Sequence, residues 1–162
     1  MLLWFLGTAV VSVWFVFTDP RFDYRLLLVG ALLPDIVDIP LGHAQAAHSL
    51  TIAVGTLAAV MMVTAGRKPI RRLLLGLPIG MLLHLVWDAA FASTKVFWWP
   101  FLGSWGSVRV PSIQRGWWDL PLEVIGAFTI GWIWRRFGLA DAERRRTFLR
   151  TGVLTDLGAG VN

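Results

Sequence analysis

The sequence predicts an all-α integral membrane protein with about five transmembrane or re-entrant helical segments. Of its 162 residues, 56% are hydrophobic and only 15% are charged, against about 25% charged in soluble domains. Ten Trp and ten Phe stand beside a single Tyr, which suits a protein with aromatic anchors at a lipid interface. The chain has no Cys, which excludes disulfides and thiolate metal sites.

Two apolar runs open the chain. The first covers about residues 2–17 and predicts a membrane helix rather than a cleaved signal, because no basic segment precedes it. The second covers about residues 26–41 and contains Pro34. A proline removes a helical hydrogen bond and disfavours helix at the preceding residue. The second helix is therefore expected to break or unwind near Pro34.

Three further apolar runs predict the remaining segments. They cover about residues 49–65, 73–92 and 121–134. Ser49 is suited to cap the third segment, and Pro121 is suited to begin the fifth. A basic loop at 66–72 and a Trp-rich and Gly-rich loop at 93–118 connect them.

The basic segments predict the orientation in the membrane. Loop 66–72 and the arginine-rich C-terminal tail should be cytoplasmic, because basic loops stay on that side. Residues 1–136 then form a helical membrane domain and residues 137–162 a basic cytoplasmic tail. The net charge of +5 does not indicate nucleic-acid binding, since the basic residues cluster between apolar segments.

Two interpretations of the tail remain open. Four of its residues are spaced to share one face of a helix that would lie on anionic lipid: Ala142, Leu149, Val153 and Leu157. The alternative is a solvated basic tail that only sets the topology.

The most informative residues are acids and imidazoles inside the apolar segments. They occur in Leu33–Asp38 (LPDIVD), His48-Ser49 and His84–Asp88 (HLVWD). A charged group at the centre of a membrane helix costs roughly 2.5–3.5 kcal/mol on insertion scales. With five spans, these groups and Glu123 fall at one depth, toward the outer leaflet. A polar site near the outer face is therefore expected.

The spacing of these residues is compatible with a metal site. His84 and Asp88 are four residues apart on a predicted helix and point the same way. Asp35 and Asp38 share a face if that turn is helical. Carboxylate and imidazole ligands favour Zn, with Mn or Fe as alternatives, over Ca. Together with His48 they would hold one or two ions. A hydrogen-bond network and a proton relay remain alternatives.

These motifs resemble the YdjM-like membrane-bound metal-dependent hydrolases. The resemblance covers roughly residues 26–101, where an L-P-D motif with a second acid, an H-S dipeptide and an H-x-x-x-D helix occur in that order. It implies that Asp35, Asp38, His48, His84 and Asp88 are ligands or catalytic residues. This chain has D-x-x-D and His43 where many members have D-x-D/H and H-R-G. His43 is a ligand, a hydrogen-bond donor behind a ligand, or an ordinary loop residue.

Two further sets of residues complete the predicted site. Glu123 or Asp38 would take the proton from an attacking water, although an acid near the start of a helix also suits the backbone amides there. Lys95, Arg109 and Arg115 would bind a substrate phosphate, while the tryptophans around them form an interfacial belt.

The predicted function is metal-dependent hydrolysis of a lipid-linked or amphiphilic ester or phosphoester by a metal-activated water. The expected location is a bacterial or archaeal plasma membrane, with the site toward the extracytoplasmic face and a membrane lipid as the partner. Two alternatives remain. One is an ion or proton transport subunit working as an oligomer, and the other is a non-catalytic protein whose bound metal holds its helices together. Bound metal and lipid turnover distinguish the three.

Overall fold

The described part of the chain is helical and contains no strand, which confirms the all-α prediction. A computed structural model describes residues 1–17, 19, 21–41, 43–93, 95–102 and 116–157. Its helices are α1 (Leu2–Val16), α2 (Tyr24–Asp38), α3 (Leu50–Val63), α4 (Lys68–Leu74), α5 (Gly76–Trp87), α6 (Ala90–Ser93), α7 (Asp119–Arg136) and α8 (Ala142–Thr151). Short 3₁₀ turns cover Ile39–Leu41, Ala46–His48, Lys95–Trp98 and Gly116–Trp118.

Helix α2 continues through Pro34, so the predicted break there is wrong. The helix runs on to Asp38 and tightens into a 3₁₀ turn only afterwards. Pro34 removes one backbone hydrogen bond, but α2 packs along α5 more extensively than any other pair of helices. This packing outweighs the local preference of one residue, as tertiary contacts commonly do.

Two glycines let α2 and α5 approach closely. A methyl group on Gly30 would overlap the Leu77 carbonyl oxygen, and one on Gly80 would overlap the Leu27 carbonyl oxygen. Leu27 and Ala31 are fully buried in this contact. The close approach brings the C-terminal ends of both helices together, which is where the predicted acids and histidines lie.

Helices α4 and α5 form the most membrane-like segment. Together they span Lys68–Trp87, 20 residues with a mean hydropathy of 1.5, which among the described residues is the one helix long and apolar enough to cross a bilayer. Pro69 lies in its first turn, where a proline costs no helical hydrogen bond. The helix stops at Trp87 rather than near residue 92, because Ala89 adopts a left-handed conformation with φ 51°.

The other helices agree with the predicted runs within a few residues. Ser49 caps α3 by accepting the backbone N–H of Ile52 at 3.2 Å. Helix α7 begins at Asp119, two residues before Pro121, and packs mainly on α1. Helices α1 and α3 are apolar but shorter than a typical span.

The tail is packed against the bundle. Helix α8 ends at Gly152, whose φ is 74° and whose carbonyl accepts the Tyr24 backbone N–H at 2.8 Å. The Arg25 guanidinium donates to the carbonyls of Leu149 and Arg150 at 3.2 and 2.9 Å. Leu154 and Phe148 join the core, whereas Leu149 is 67% exposed. Because α8 ends at Thr151, Val153 and Leu157 lie beyond it. The four residues predicted to share a face of the tail therefore do not lie on one helix.

Candidate metal centre

Three short stretches of chain meet at one end of the bundle. The last turn of α2 contributes Asp35 and Asp38, and the 3₁₀ turn before α3 contributes His48. Helix α5 contributes His84, and Asp88 follows directly as its C-terminal cap. All five side chains are buried. Residues separated by up to 53 positions in the sequence therefore share one pocket.

The ligand atoms of these residues lie close together without touching. Asp35, His48 and His84 each offer one atom within 4.8 Å of the other two. The Asp35 Oδ1 is 3.5 Å from His48 Nε2 and 3.7 Å from His84 Nε2. The Asp88 Oδ2 is 3.9 Å from His48 Nε2. The group is thus able to hold a metal ion, which agrees with the prediction of a buried Asp/His site.

Hydrogen bonds on the far side of each ring turn both Nε2 atoms into the pocket. His84 Nδ1 donates to the Ala31 carbonyl oxygen at 2.7 Å, and His48 Nδ1 donates to Asp38 Oδ2 at 2.7 Å. A carbonyl and a carboxylate can only accept, so both Nδ1 atoms carry the proton. Neither Nε2 has a hydrogen-bond partner among the described residues. Histidines that ligate metals are oriented in this way.

Asp38 lies behind His48. Its Oδ2 accepts from His48 Nδ1 and also from the Gln45 backbone N–H at 2.8 Å. Its Oδ1 is buried and has no hydrogen-bond partner in the described part of the chain, so the prediction that Asp38 is itself a ligand stays a prediction. His43 contacts the Gln45 side chain at 2.9 Å, outside the cluster of ligand atoms.

The pocket favours positive charge at His48, which lies in the connection between α2 and α3. Burial lowers the pKa of His48, but the hydrogen bond that Nδ1 donates to Asp38 and the negative charges of Asp35 and Asp38 outweigh it and raise the pKa to about 9. A divalent ion on Nε2 would supply the same positive charge without a proton, because a metal and a proton compete for one lone pair.

The nitrogen–oxygen separations in the pocket are compatible with a bound ion. Two ligands at about 2.1 Å from a tetrahedral ion lie roughly 3.4 Å apart, close to the 3.5 to 3.9 Å seen here. Two imidazole nitrogens and two carboxylate oxygens form a donor set typical of Zn, with Mn and Fe as alternatives. At these separations the nitrogen–oxygen pairs are too long for good hydrogen bonds.

Residues that the sequence did not single out support the ligands. The Phe5 ring packs on His84 with centroids 4.0 Å apart, and Ala31 supplies the carbonyl that orients the same ring. Trp87 is tied to α1 through its own indole N–H, which donates to Ser12 at 3.1 Å. No sequence pattern marks a backbone carbonyl or an apolar ring as the partner of a particular histidine. These contacts are therefore identified only in the folded structure.

Asp35 is the cluster residue that reaches the surface. Its side chain is 12% exposed, whereas those of His48, His84 and Asp88 are 0% exposed. It lines a pocket of about 330 Å³. The remaining walls are apolar: Met1, Leu2, Leu32, Ile36, Ile39 and Pro40. The pocket thus borders the cluster at Asp35 and is otherwise lined mainly by apolar side chains.

Other predicted site residues lie elsewhere. Both Glu123 oxygens accept the Leu3 backbone N–H, at 3.2 and 3.1 Å, and Oε2 also accepts that of Trp4 at 3.2 Å. Glu123 thus caps helix α1 rather than its own helix. Lys95 is exposed in a 3₁₀ turn. Arg109 and Arg115 lie outside the described residues.

Comparison with known proteins returns no match: no family model, curated protein or solved structure is similar to this chain.

Proposed function

We propose that this chain is a membrane-embedded metal-dependent hydrolase acting on a lipid-linked or amphiphilic ester or phosphoester. The observation that carries the proposal is the buried pocket in which two histidine Nε2 atoms face two carboxylates at 3.5 to 3.9 Å. Neither Nε2 atom has a hydrogen-bond partner among the described residues, and buried polar groups without partners are costly. A divalent cation would bind both nitrogens together with the facing carboxylates.

The surface of the helices supports a location in the membrane. Large apolar side chains are exposed on every long helix, including Phe15 at 79%, Met62 at 72% and Phe128 at 76%. Only 33% of the apolar window in Lys68–Trp87 is buried within the chain. Soluble monomers rarely expose apolar patches on this scale, whereas a bilayer covers them. With four or five helices crossing or entering the bilayer, the Asp/His pocket would lie near its outer face.

The residues divide into ligands and one positioning residue. Asp35, His48, His84 and Asp88 would hold the ion, and Asp38 would fix the tautomer and direction of His48. When bound, a divalent ion of this kind lowers the pKa of a coordinated water toward neutrality and polarises an ester carbonyl or phosphoryl group. Because Glu123 caps α1, the proposal gives it no part in proton transfer.

The pocket beside Asp35 supports an amphiphilic substrate. Its side chains are apolar apart from Asp35, and the amino group of Met1 adds a positive charge nearby. The pocket therefore suits a molecule with a hydrocarbon part and an anionic or polar group. A substrate that enters from the bilayer would meet this pocket first, since His48, His84 and Asp88 are closed to the outside.

The same burial favours a second candidate, a metal that only holds the helices together. Structural zinc sites are closed, and catalytic ones keep an open position. Three side chains of the cluster have 0% exposure. The two candidates both require metal, and they differ in whether the bound ion has access to substrate.

Elemental analysis of the detergent-purified protein tests the metal, and ester cleavage tests the hydrolase. We expect one or two ions of Zn, Mn or Fe per chain, lost in His84→Ala and in His48→Ala. His43→Ala is the matched control, because His43 lies outside the cluster, and it should retain the metal. We also expect cleavage of a fluorogenic short-chain phospholipid, abolished by a chelator and restored by the ion.

Each alternative has its own outcome. Metal without cleavage of phosphate or carboxylate esters, together with unfolding on chelation, would support the structural staple. Absence of metal with proton flux in liposomes would support transport and overturn both metal proposals. Loss of metal in His43→Ala to the same degree as in His84→Ala would mean that the cluster is not the binding site.

A further inference from the structure

A second pocket lies at the opposite end of the Lys68–Trp87 helix. It has a volume of about 320 Å³. We call it the basic pocket, and its lining residues are Phe17, Asp19, Phe22, Lys68, Arg71, Arg72, Leu75 and Ile79. His84 is 13 residues from Arg71, which at 1.5 Å per residue separates the basic pocket from the metal centre by roughly 20 Å.

The polar half of this pocket carries excess positive charge. Three basic side chains and one carboxylate line it. Arg72 pairs loosely with Asp19, with Nε 3.6 Å from Oδ2 and both side chains well exposed. Lys68 and Arg71 have no carboxylate partner in the described part of the chain. An anion bound here would therefore meet two cations that the protein itself does not neutralise.

The other half is apolar. Phe17 is 48% exposed and Phe22 is buried, and Leu75 and Ile79 continue the wall along the helix toward the interior of the proposed bilayer. A free phosphate would bind the basic side chains but would leave the apolar side of the pocket exposed. A molecule with a phosphate next to hydrocarbon would use both.

We propose that the basic pocket binds an anionic phospholipid, with its phosphodiester on Lys68 and Arg71 and an acyl chain along Phe17 and Leu75. Lys and Arg both bind phosphate well, and basic residues just outside a membrane helix attract anionic lipid. The site would lie in the leaflet opposite the metal centre. The proposal rests on the membrane placement made above and is independent of the metal and of hydrolysis.

Native mass spectrometry of the detergent-purified chain tests the site with phosphatidylglycerol and with phosphatidylcholine of the same acyl chains. We expect tighter binding of phosphatidylglycerol, and Lys68→Gln/Arg71→Gln should weaken it roughly 30-fold while binding of phosphatidylcholine changes little. Arg135→Gln/Arg146→Gln removes the same charge outside the pocket and should preserve the preference. Phe17→Ala should weaken phosphatidylglycerol binding with no change in charge.

Several results would overturn the site. These are equal binding of the two lipids, equal loss in the Arg135/Arg146 control, or full displacement of the lipid by millimolar glycerol phosphate, which would indicate a plain anion site. Helical circular dichroism of each variant checks folding, and Lys68→Arg/Arg71→Lys, which keeps both charges, should bind phosphatidylglycerol as the unmodified chain does. A chain that stays soluble without detergent would instead refute the membrane placement.

Discussion

Charged side chains are exposed to solvent or lipid headgroups near one end of the paired helices α2 and α5, and are buried at the other end. At the basic end Arg72 and Asp19 are 50% and 42% exposed and 3.6 Å apart, so water or lipid headgroups screen them and their pairing contributes little stability. At the other end His48 and Asp88 have 0% exposure. Buried charges cost several kcal/mol each unless they are paired. The difference teaches that a bound cation would contribute more stability at the buried end than at the exposed one.

Replacing Gly80 with Ala should break this arrangement most completely. The added methyl group would overlap the Leu27 carbonyl oxygen and approach the Ala31 backbone nitrogen. Helices α2 and α5 would have to separate, at about 3 kcal/mol or more, the upper end for overpacking. We expect loss of bound metal and a large fall in the thermal unfolding midpoint measured in detergent.

Gly55 offers the matched control for that substitution. A methyl group there would meet nothing within 4 Å, so Gly55→Ala should retain the metal, and stability should stay the same or rise by about 0.5–1 kcal/mol because Gly55 lies inside helix α3. If Gly80→Ala also binds metal normally, the close contact of α2 and α5 does not set the geometry of the cluster.

Substitutions of Asp38 sharpen the distinction between a ligand and a positioning residue. Asp38→Ala removes the acceptor for His48 Nδ1 and should weaken metal affinity roughly 10–100-fold, as loss of such outer partners does. Asp38→Asn keeps an oxygen in that place and should cost less. Competition against a chelator of known affinity measures both. If Asp38→Asn loses the metal as completely as His84→Ala, Asp38 is a ligand.

The smallest expected effect comes from Ala89, next to Asp88. A left-handed conformation costs an L-residue roughly 1–2 kcal/mol, and glycine adopts it freely but loses more entropy on folding. Ala89→Gly should therefore leave stability unchanged or raise it by about 1 kcal/mol, measured by thermal unfolding with metal bound.

Ala92→Gly serves as the comparison, because residue 92 lies in helix α6 and glycine should destabilise it there by about 0.5–1 kcal/mol. A similar loss in both variants would mean that the left-handed turn after Asp88 carries no strain.

The all-α structure and the membership of the cluster could be predicted from particular residues. Apolar runs between polar connections indicate the helices, and Ser49 marks the start of α3 through its side-chain oxygen. Asp35 and Asp38 stand out because acids are rare in apolar segments. Pro34 misled the prediction, because a local preference of one residue cannot include the helix that packs against it.

The sequence by itself determined which segments are helical and which ionisable residues stand near helix ends, because these depend on local pattern and hydropathy. Only the tertiary structure decided that His48 and His84 turn Nε2 toward Asp35 and that Glu123 caps α1. Ring orientation and capping depend on hydrogen bonds between groups far apart in the chain. No spacing rule along the sequence encodes those distances.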